Sequence, residues 1–302
     1  MARVTAVIVH WRDLAETLGC IDSVRAEPGI DVVVVDNGST EPIAPRIARH
    51  APEVRCVANP VNEGYAGGAN RGIHDALARG AEVVLLLNND ARVHAGATAA
   101  ALAVLEGDGR VAVVGPKVLT REDPGRLWLA WGRVTWRQSL VALDGADVPD
   151  GPAWSRERDV DWVAGCAMWM RADALRAIGL LDADFFAYHE EVDWCASARE
   201  AGWRVVYCPG AVVTHTGRGS GGGPAAIRIR KYFAARNTVL FARKHGGALA
   251  RAKLVAFLAA TLPLQLLWHW RRGTTDEVWL KIEGLRDALA GRRPPLERLG
   301  LR

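Results

Sequence analysis

The chain has little of what would mark a disulfide scaffold, a zinc module or a nucleic-acid binder. Its five cysteines (Cys20, Cys56, Cys166, Cys195 and Cys208) are scattered over 302 residues without one Cys-x-x-Cys pair. An odd, dispersed set builds neither a disulfide framework nor a structural zinc site, and it suits a reducing cytosol. Charge of one sign is also lacking. The formal balance is only +4, so there is no basic footprint, and nucleic acid is not expected as a partner. No Gly-Lys-Ser/Thr closes a glycine-rich loop, which excludes a P-loop. The glycine-rich "NEGYAGGANRG" has the wrong spacing for the dinucleotide fingerprint and follows the third strand-like run, not the first. Internal repeats are absent. The opening "MARVTAVIVHW" has a short apolar run with no small-residue cleavage site after it, so no signal peptide is expected.

What is present is a globular composition, half hydrophobic and 24% charged, with tryptophan abundant at 12. Tryptophan suits sugar stacking and membrane interfaces as well as ordinary cores. Continuous apolar runs alternate with helical spacing. "VTAVIVHW" reads as a buried strand, and Leu14, Leu18, Ile21 and Val24 then fall on one helical face. "DVVVVDNGST", "VRCVAN" and "AEVVLLLNND" read as three further strands, with a helix predicted from about Ala69 to Arg79. This alternation predicts an α/β fold, a mostly parallel sheet flanked by helices, with the strand carboxyl ends and the ligand on one edge. From about Arg121 to Asp159 the pattern loosens into a long, partly strand-bearing insertion. "EVDWCASAREAGW" then predicts a helix closed at Gly202, and "RVVYCPGAVVTH" a last strand pair. "TGRGSGGGP" reads as a hinge, dividing a unit of residues 1–220 from a helical region of residues 221–302.

Five stretches carry the residue types chemistry needs. Asp36 ends a strand and is followed by Asn37, Gly38 and Ser39, a set able to hydrogen-bond a base or ribose or simply to make an Asx turn. In "NEGYAGGANRG", Gly64, Gly67 and Gly68 free the backbone to approach a ligand, or only to turn, and Asn70 stands near the next helix. "NND", Asn88 to Asp90, is an exposed turn or a magnesium or manganese anchor, since such ions take oxygen ligands and share them with phosphates. "HEEVD" groups Glu190, Glu191 and Asp193 beside His189, either as a solvated helix start or as a general base with its neighbours. His215 ends the last strand, as a structural histidine or a third metal ligand.

In this order, "VIVHW", "VVVVDNGST", "NEGYAGGANRGI", "LLLNND", "VAGCAMWMRADALRAIGLLDADFFAYHEEVDWCASAREAGW" and "YCPGAVVTH" resemble family 2 inverting glycosyltransferases of the GT-A fold, nearest to bacterial rhamnosyltransferase-like members. The resemblance runs from Val4 to His215 and is carried by the ordered set, since each piece alone is modest. It implies a nucleotide-sugar donor along the strand edge, touching Val9, Asp36, Asn37, Gly38, Gly67, Gly68, Asn70 and Asn89. It implies Mg²⁺ or Mn²⁺ on Asp90, Asn88 and His215, with Asn88 where the family's DXD motif usually has an acid. It also implies Glu191 as the base, with Glu190 and Asp193 as alternates, because this chain has Glu where the family usually has Asp. The donor expected first is dTDP-L-rhamnose, with galactofuranose, glucose and N-acetylhexosamines open. The acceptor expected is a glycan or polyprenyl-diphosphate-linked glycan of cell-envelope synthesis. A sugar-nucleotide pyrophosphorylase would want a basic, glycine-rich amino-terminal loop, where "VIVHWRDLAETL" offers only Arg12. A non-catalytic sugar-binding module would not need Asp90, His215 and the acid cluster together.

"LVAFLAATLPLQLLWHW" (Leu254 to Trp270) is apolar, flanked by Arg251, Lys253, Arg271 and Arg272 and interrupted by Pro263 and Gln265. It is a little short of the roughly 20 residues a span needs. Three readings stay open: a helix packed on the catalytic unit, a span, or a helix on the membrane surface. The last places a cytoplasmic protein peripherally on the inner face of the membrane.

Overall fold

The computed structural model describes residues 2–137, 139–216 and 224–301. The "GRGSGGG" of the hinge-like stretch therefore lies outside the described residues, as does the boundary between residues 220 and 221. The amino-terminal half runs β1 (Val4–His10), α1 (Leu14–Arg25), β2 (Ile30–Asn37), α2 (Ala44–His50), β3 (Arg55–Asn59), α3 (Gly64–Ala78), β4 (Val83–Asn88), β5 (Ala91–Val93), α4 (Ala97–Gly107) and β6 (Val111–Thr120). Strands β1 to β4 are parallel, in the spatial order β4-β1-β2-β3. The apolar runs of β1, β2 and β4 are buried on both faces, as a sheet covered by helices requires, while the edge strand β3 is only half-buried. Alternation along each strand divides the core in two. Val7, Val9, Val33 and Val35 face the small side chains of α3, among them Ala66, Ala69 and Ala76. Ala6, Ile8, Val34, Leu85 and Leu87 face Ile21, Ile47 and Ala101 of α1, α2 and α4.

Helix α3 starts five residues before its expected start and takes in the glycines read from the sequence as a turn. A Cβ at Gly72 would lie 2.3 Å from Val7 Cγ1, and one at Gly68 would lie 3.0 Å from Val9 Cγ1. These glycines bring the helix close onto the sheet. The chain enters α3 through Gly64 at φ +77°, where the Phe186 carbonyl and ring leave no room for a side chain.

The looser stretch holds β7 (Asp123–Leu129), β8 (Trp131–Val134), β9 (Val141–Asp144), β10 (Val148–Pro149) and β11 (Arg158–Asp159). Strands β8 and β9 form a separate hairpin, whereas β7, β10 and β11 join the main sheet. β12 (Ala167–Arg171) runs antiparallel between β4 and β6, and is followed by α5 (Ala172–Ile178) and α6 (Glu190–Glu200). The expected last strand pair is one strand, β13 (Arg204–His215). Its register along β6 breaks between Cys208 and Val212, where Pro209 and Gly210 are absorbed as an irregularity. Helices α7 (Pro224–His245), α8 (Ala248–Trp270) and α9 (Asp276–Leu289) complete the chain.

The carboxyl-terminal helices are tied to the sheet-bearing part of the chain. Arg12 donates to the Gly300 carbonyl and Asn62 to that of Leu301, while Phe186, Tyr232, Phe233, Leu280 and Leu301 share one apolar cluster. Helix α8 is the exception. Its 23 residues are long and apolar enough to cross a membrane, and almost none of its most apolar stretch is buried. Only Leu254 and His269 are buried along it; Leu258 and Leu262 pack against Val239, Leu285 and Ala288, while Leu249, Val255, Leu264, Leu267, Trp268 and Trp270 are exposed.

Candidate active site

Sheet register brings the polar strand ends together. Val9 lies beside Asn88, His10 beside Asp36, and Asn37 beside Asn59. At the other side of the edge, β13 pairs with β5 so that His215 faces Ala91, which sets Asp90 against the histidine. A cleft of about 930 Å³ opens along this edge, with Val9, Trp11, Asn37, Asn88, Asn89, Glu190, Glu191 and His215 on its wall.

Asp90, His215 and Asn88 converge. His215 Nε2 lies 3.1 Å from Asp90 Oδ1 and 3.4 Å from Asn88 Nδ2, and the imidazole packs 4.6 Å from the Trp128 ring. Thr216 donates to the other Asp90 oxygen at 2.7 Å. Burial alone would raise the Asp90 pKa, but the His215 and Thr216 contacts outweigh it and hold the carboxyl below its ordinary value. Among the described residues no group of three His, Cys, Asp or Glu side chains stands ready for a metal ion. One buried carboxylate, one imidazole and one amide fit an ion that draws only part of its shell from protein and the rest from phosphate and water.

The same cleft carries the acids Glu190 and Glu191. The turn into α6 is left-handed at Phe186, Tyr188 and His189 (φ 62°, 69° and 69°), a conformation that costs free energy in residues with a side chain and persists only where the surroundings hold it. Asn237 of α7, fully buried, shares its amide N–H groups among the carbonyls of Phe185, Ala187 and Tyr188 at 2.8, 2.9 and 2.6 Å. Arg236 donates to Asp184 O at 2.6 Å. This turn presents Glu190 and Glu191 at the start of α6. Gly165 makes room for Glu191, since a Cβ there would lie 3.2 Å from that of the glutamate. Removal from water pushes Glu191 up to about 7, against backbone N–H groups that pull it down. Glu190 is more deeply buried and goes well above its ordinary value, through burial first and the neighbouring Glu191 charge second. Glu191 is therefore the acid that both reaches the cleft and ionises near neutrality.

The alternate Asp193 faces elsewhere. It is buried and accepts from Lys244 Nζ at 2.7 Å and His245 Nε2 at 2.8 Å, which fastens α6 to the end of α7. Several residues expected to touch a nucleotide are also hydrogen-bonded within the protein. Asn70 exchanges both amide groups with Leu181. Asn89 donates to Asp13 O and Thr17 Oγ1, holding α1. Asn37 ties Asn59, Asn62 and the Gly64 carbonyl. Gly67 and Gly68 are buried within α3 rather than in a turn against a ligand. Asp36 accepts from Ser39 N and Ile43 N. Gly38 (φ +81°) passes so near Asn62 N that a Cβ would sit 2.4 Å from it. Sequence reasoning missed Gly165, Trp128, Arg236 and Asn237. The polar pair "RN" inside an otherwise apolar helical stretch was the available signal.

The model of a family described as "Glycosyltransferase like family 2" matches residues 2–236. This chain belongs to glycosyltransferase family 2. Among similar proteins, an N-acetylglucosaminyl-diphospho-decaprenol L-rhamnosyltransferase of Mycobacterium tuberculosis is 27% identical over 249 residues, 74% of this chain and 78% of the relative. A low-salt glycan biosynthesis hexosyltransferase, Agl10 of Haloferax volcanii, is 27% identical over 190 residues, 59% of this chain and 56% of the relative. Among solved structures, the mannosyltransferase PcManGT from Pyrobaculum calidifontis, in complex with GDP-Man and Mn²⁺, has a TM-score of 0.57 at 17% identity, covering 97% of this chain and 88% of that one. GalNAc-T7 with UDP, GalNAc and Mn²⁺ has a TM-score of 0.59 at 15% identity, covering 97% of this chain and 58% of that one. The family 2 glycosyltransferase thus has the GT-A fold expected from its ordered motifs.

Proposed function

We propose that this glycosyltransferase moves a sugar, L-rhamnose from dTDP-L-rhamnose first, onto a hydroxyl of a polyprenyl-diphosphate-linked glycan, inverting the anomeric centre in one displacement. The observation that carries this reading is the placement of Glu191 and the Asn88–Asp90–His215 group on the wall and rim of one cleft. Asp90, His215 and Asn88 would hold Mg²⁺ or Mn²⁺, which neutralises charge growing on a leaving diphosphate. The nucleotide lies along the edge of β1 and β2, past Val9, Trp11, Asn37 and Gly38. Glu191 accepts the proton of the acceptor hydroxyl as the new C–O bond forms and the bond to the diphosphate breaks. Attack from the face opposite the diphosphate inverts the centre and needs no covalent sugar–enzyme species.

Residues 1–220 form the catalytic unit, and residues 221–302 position the acceptor at the inner face of the membrane, with α8 on the bilayer. The activity named for the M. tuberculosis relative, an N-acetylglucosaminyl-diphospho-decaprenol L-rhamnosyltransferase, supports the choice of donor and acceptor class. The test is a donor screen with Mg²⁺ or Mn²⁺ and a prenyl-diphosphate-linked N-acetylglucosamine, scored by acceptor-dependent release of nucleoside diphosphate. Release of dTDP from dTDP-rhamnose supports the assignment. UDP release from a UDP-sugar, with none from dTDP-rhamnose, overturns the donor.

A further inference from the structure

The cleft does not end at the acids. It continues past Glu191 between α7, α8 and α9, where its wall changes character. Ala234 and Ala235 of α7, Leu258 and Leu262 of α8 and Leu285 of α9 line it with apolar surface. Three cations, Arg230, Lys231 and Lys281, line the same stretch. Lys231 pairs with Glu277 at 3.1 Å, and Lys281 is bonded only to the neutral Gln265 amide, at 2.9 Å, among the described residues. Removal from water, and then the charge of Lys231, pull the Lys281 pKa below its ordinary value. Three cations beside one carboxylate leave positive charge turned toward the cleft. Arg230 is close enough to Tyr188, in the acid-bearing turn, for its charge to act on the phenol. A basic cluster bordered by an apolar wall and joined to the base at one end asks for a ligand with an anionic head and a hydrocarbon tail.

We infer that Lys281, Lys231 and Arg230 form a subsite for the diphosphate of a prenyl-diphosphate acceptor, whose first isoprene units lie along Leu258, Leu262 and Leu285. This deepens the proposed function and rests on its lipid-linked acceptor. The tail leaves along α8, on which Leu249, Val255, Leu264, Leu267, Trp268 and Trp270 are exposed, so the chain that anchors the acceptor in the bilayer need not bend back through water. The sugar end then reaches toward Glu191.

Binding of farnesyl diphosphate and of inorganic pyrophosphate to the full chain tests this, with dTDP binding measured beside them. Farnesyl diphosphate should bind at least about tenfold more tightly than pyrophosphate, because only it uses the apolar wall. Lys281→Gln should weaken farnesyl diphosphate by about tenfold or more, the effect of losing one charge-assisted contact, and leave dTDP unchanged. Lys281→Arg should keep the binding, which separates a charge requirement from a folding defect. Unchanged farnesyl diphosphate binding in Lys281→Gln overturns the subsite. So does an equal loss of dTDP, which would place the lysine in the donor site, and so does equal binding of the two diphosphates. If the subsite fails while a prenyl-diphosphate acceptor is still glycosylated, the proposed function stands without it. If farnesyl diphosphate binds as described and no such acceptor is glycosylated, the acceptor reading fails and the subsite stands.

Discussion

At the residue scale the site divides by burial. Asp90 and Glu191 are both carboxylates at element ends, yet their surroundings move them in opposite directions: His215 holds Asp90 ionised, while Glu191 loses water without gaining a cation. Asp90→Ala should remove metal-dependent donor binding and abolish transfer; donor titrations with and without Mn²⁺ check it, and full activity would take Asp90 out of the site. Asp193→Asn should instead lower the melting temperature through its lost bonds to Lys244 and His245, leaving Glu191 in place. Residue types at strand ends were readable from sequence, since Asp36, Asn88, Asp90 and His215 all close apolar runs. Their division of labour was not. Asn70, Asn89 and Asp193 have the polarity of ligand contacts, and only packing reveals that their polar groups are taken up by backbone and by α7.

At the element scale, parallel strands and flanking helices followed from unbroken apolar runs, because a strand buried on both faces leaves no other pattern. The start of α3 and the role of its glycines did not, since a glycine that admits a ligand and one that admits Val7 look the same in sequence. The least legible device is the contact of α7 with the acid-bearing turn, which joins residues about 50 apart in the chain. Asn237→Ala leaves three carbonyls short of a donor, at a cost of about 1–3 kcal/mol for each buried group left unpaired. We expect kcat to fall with donor KM little changed, and the acid limb of the rate profile to shift as the turn relaxes and Glu191 regains water. The clamp below it is pH-dependent. Burial lowers the His245 pKa, but Asp193 and Glu200 outweigh it, and the net value stands above the ordinary 6.5. The stability it contributes is full below 6.5 and fades as pH rises through the raised value. Melting curves of wild type and His245→Gln between about pH 6 and 9 should therefore converge toward the alkaline end.

At the scale of the whole molecule, a cleft runs from the carboxyl ends of β1, β2 and β4 to three helices, one of them apolar and exposed. Helix α8 spans about 35 Å at the usual rise, longer than its apolar run implied, because the helix begins six residues earlier at Ala248. Leu264 and Leu267 are exposed on it and stand outside the cleft wall. The full chain should float with anionic liposomes, and Leu264→Glu/Leu267→Glu should leave it in the soluble fraction with transfer to a water-soluble acceptor preserved. Equal flotation of the two would remove α8 from the membrane contact. Sequence showed the apolar run and its basic flanks, but its exposure depends on which helices cover it, which no local pattern records.

The central claim is that Glu191, poised near neutrality in the cleft that Asn88 and His215 also line, is the base of glycosyl transfer. The measurement that tests it most directly is kcat/KM against pH for wild type and Glu191→Gln with a saturating divalent ion. Wild type should show an acid limb near pH 7, and the variant should lose that limb with turnover down about 10²–10⁴-fold and donor affinity intact. An unchanged profile in Glu191→Gln, or the same loss from Glu190→Gln in its place, contradicts the account.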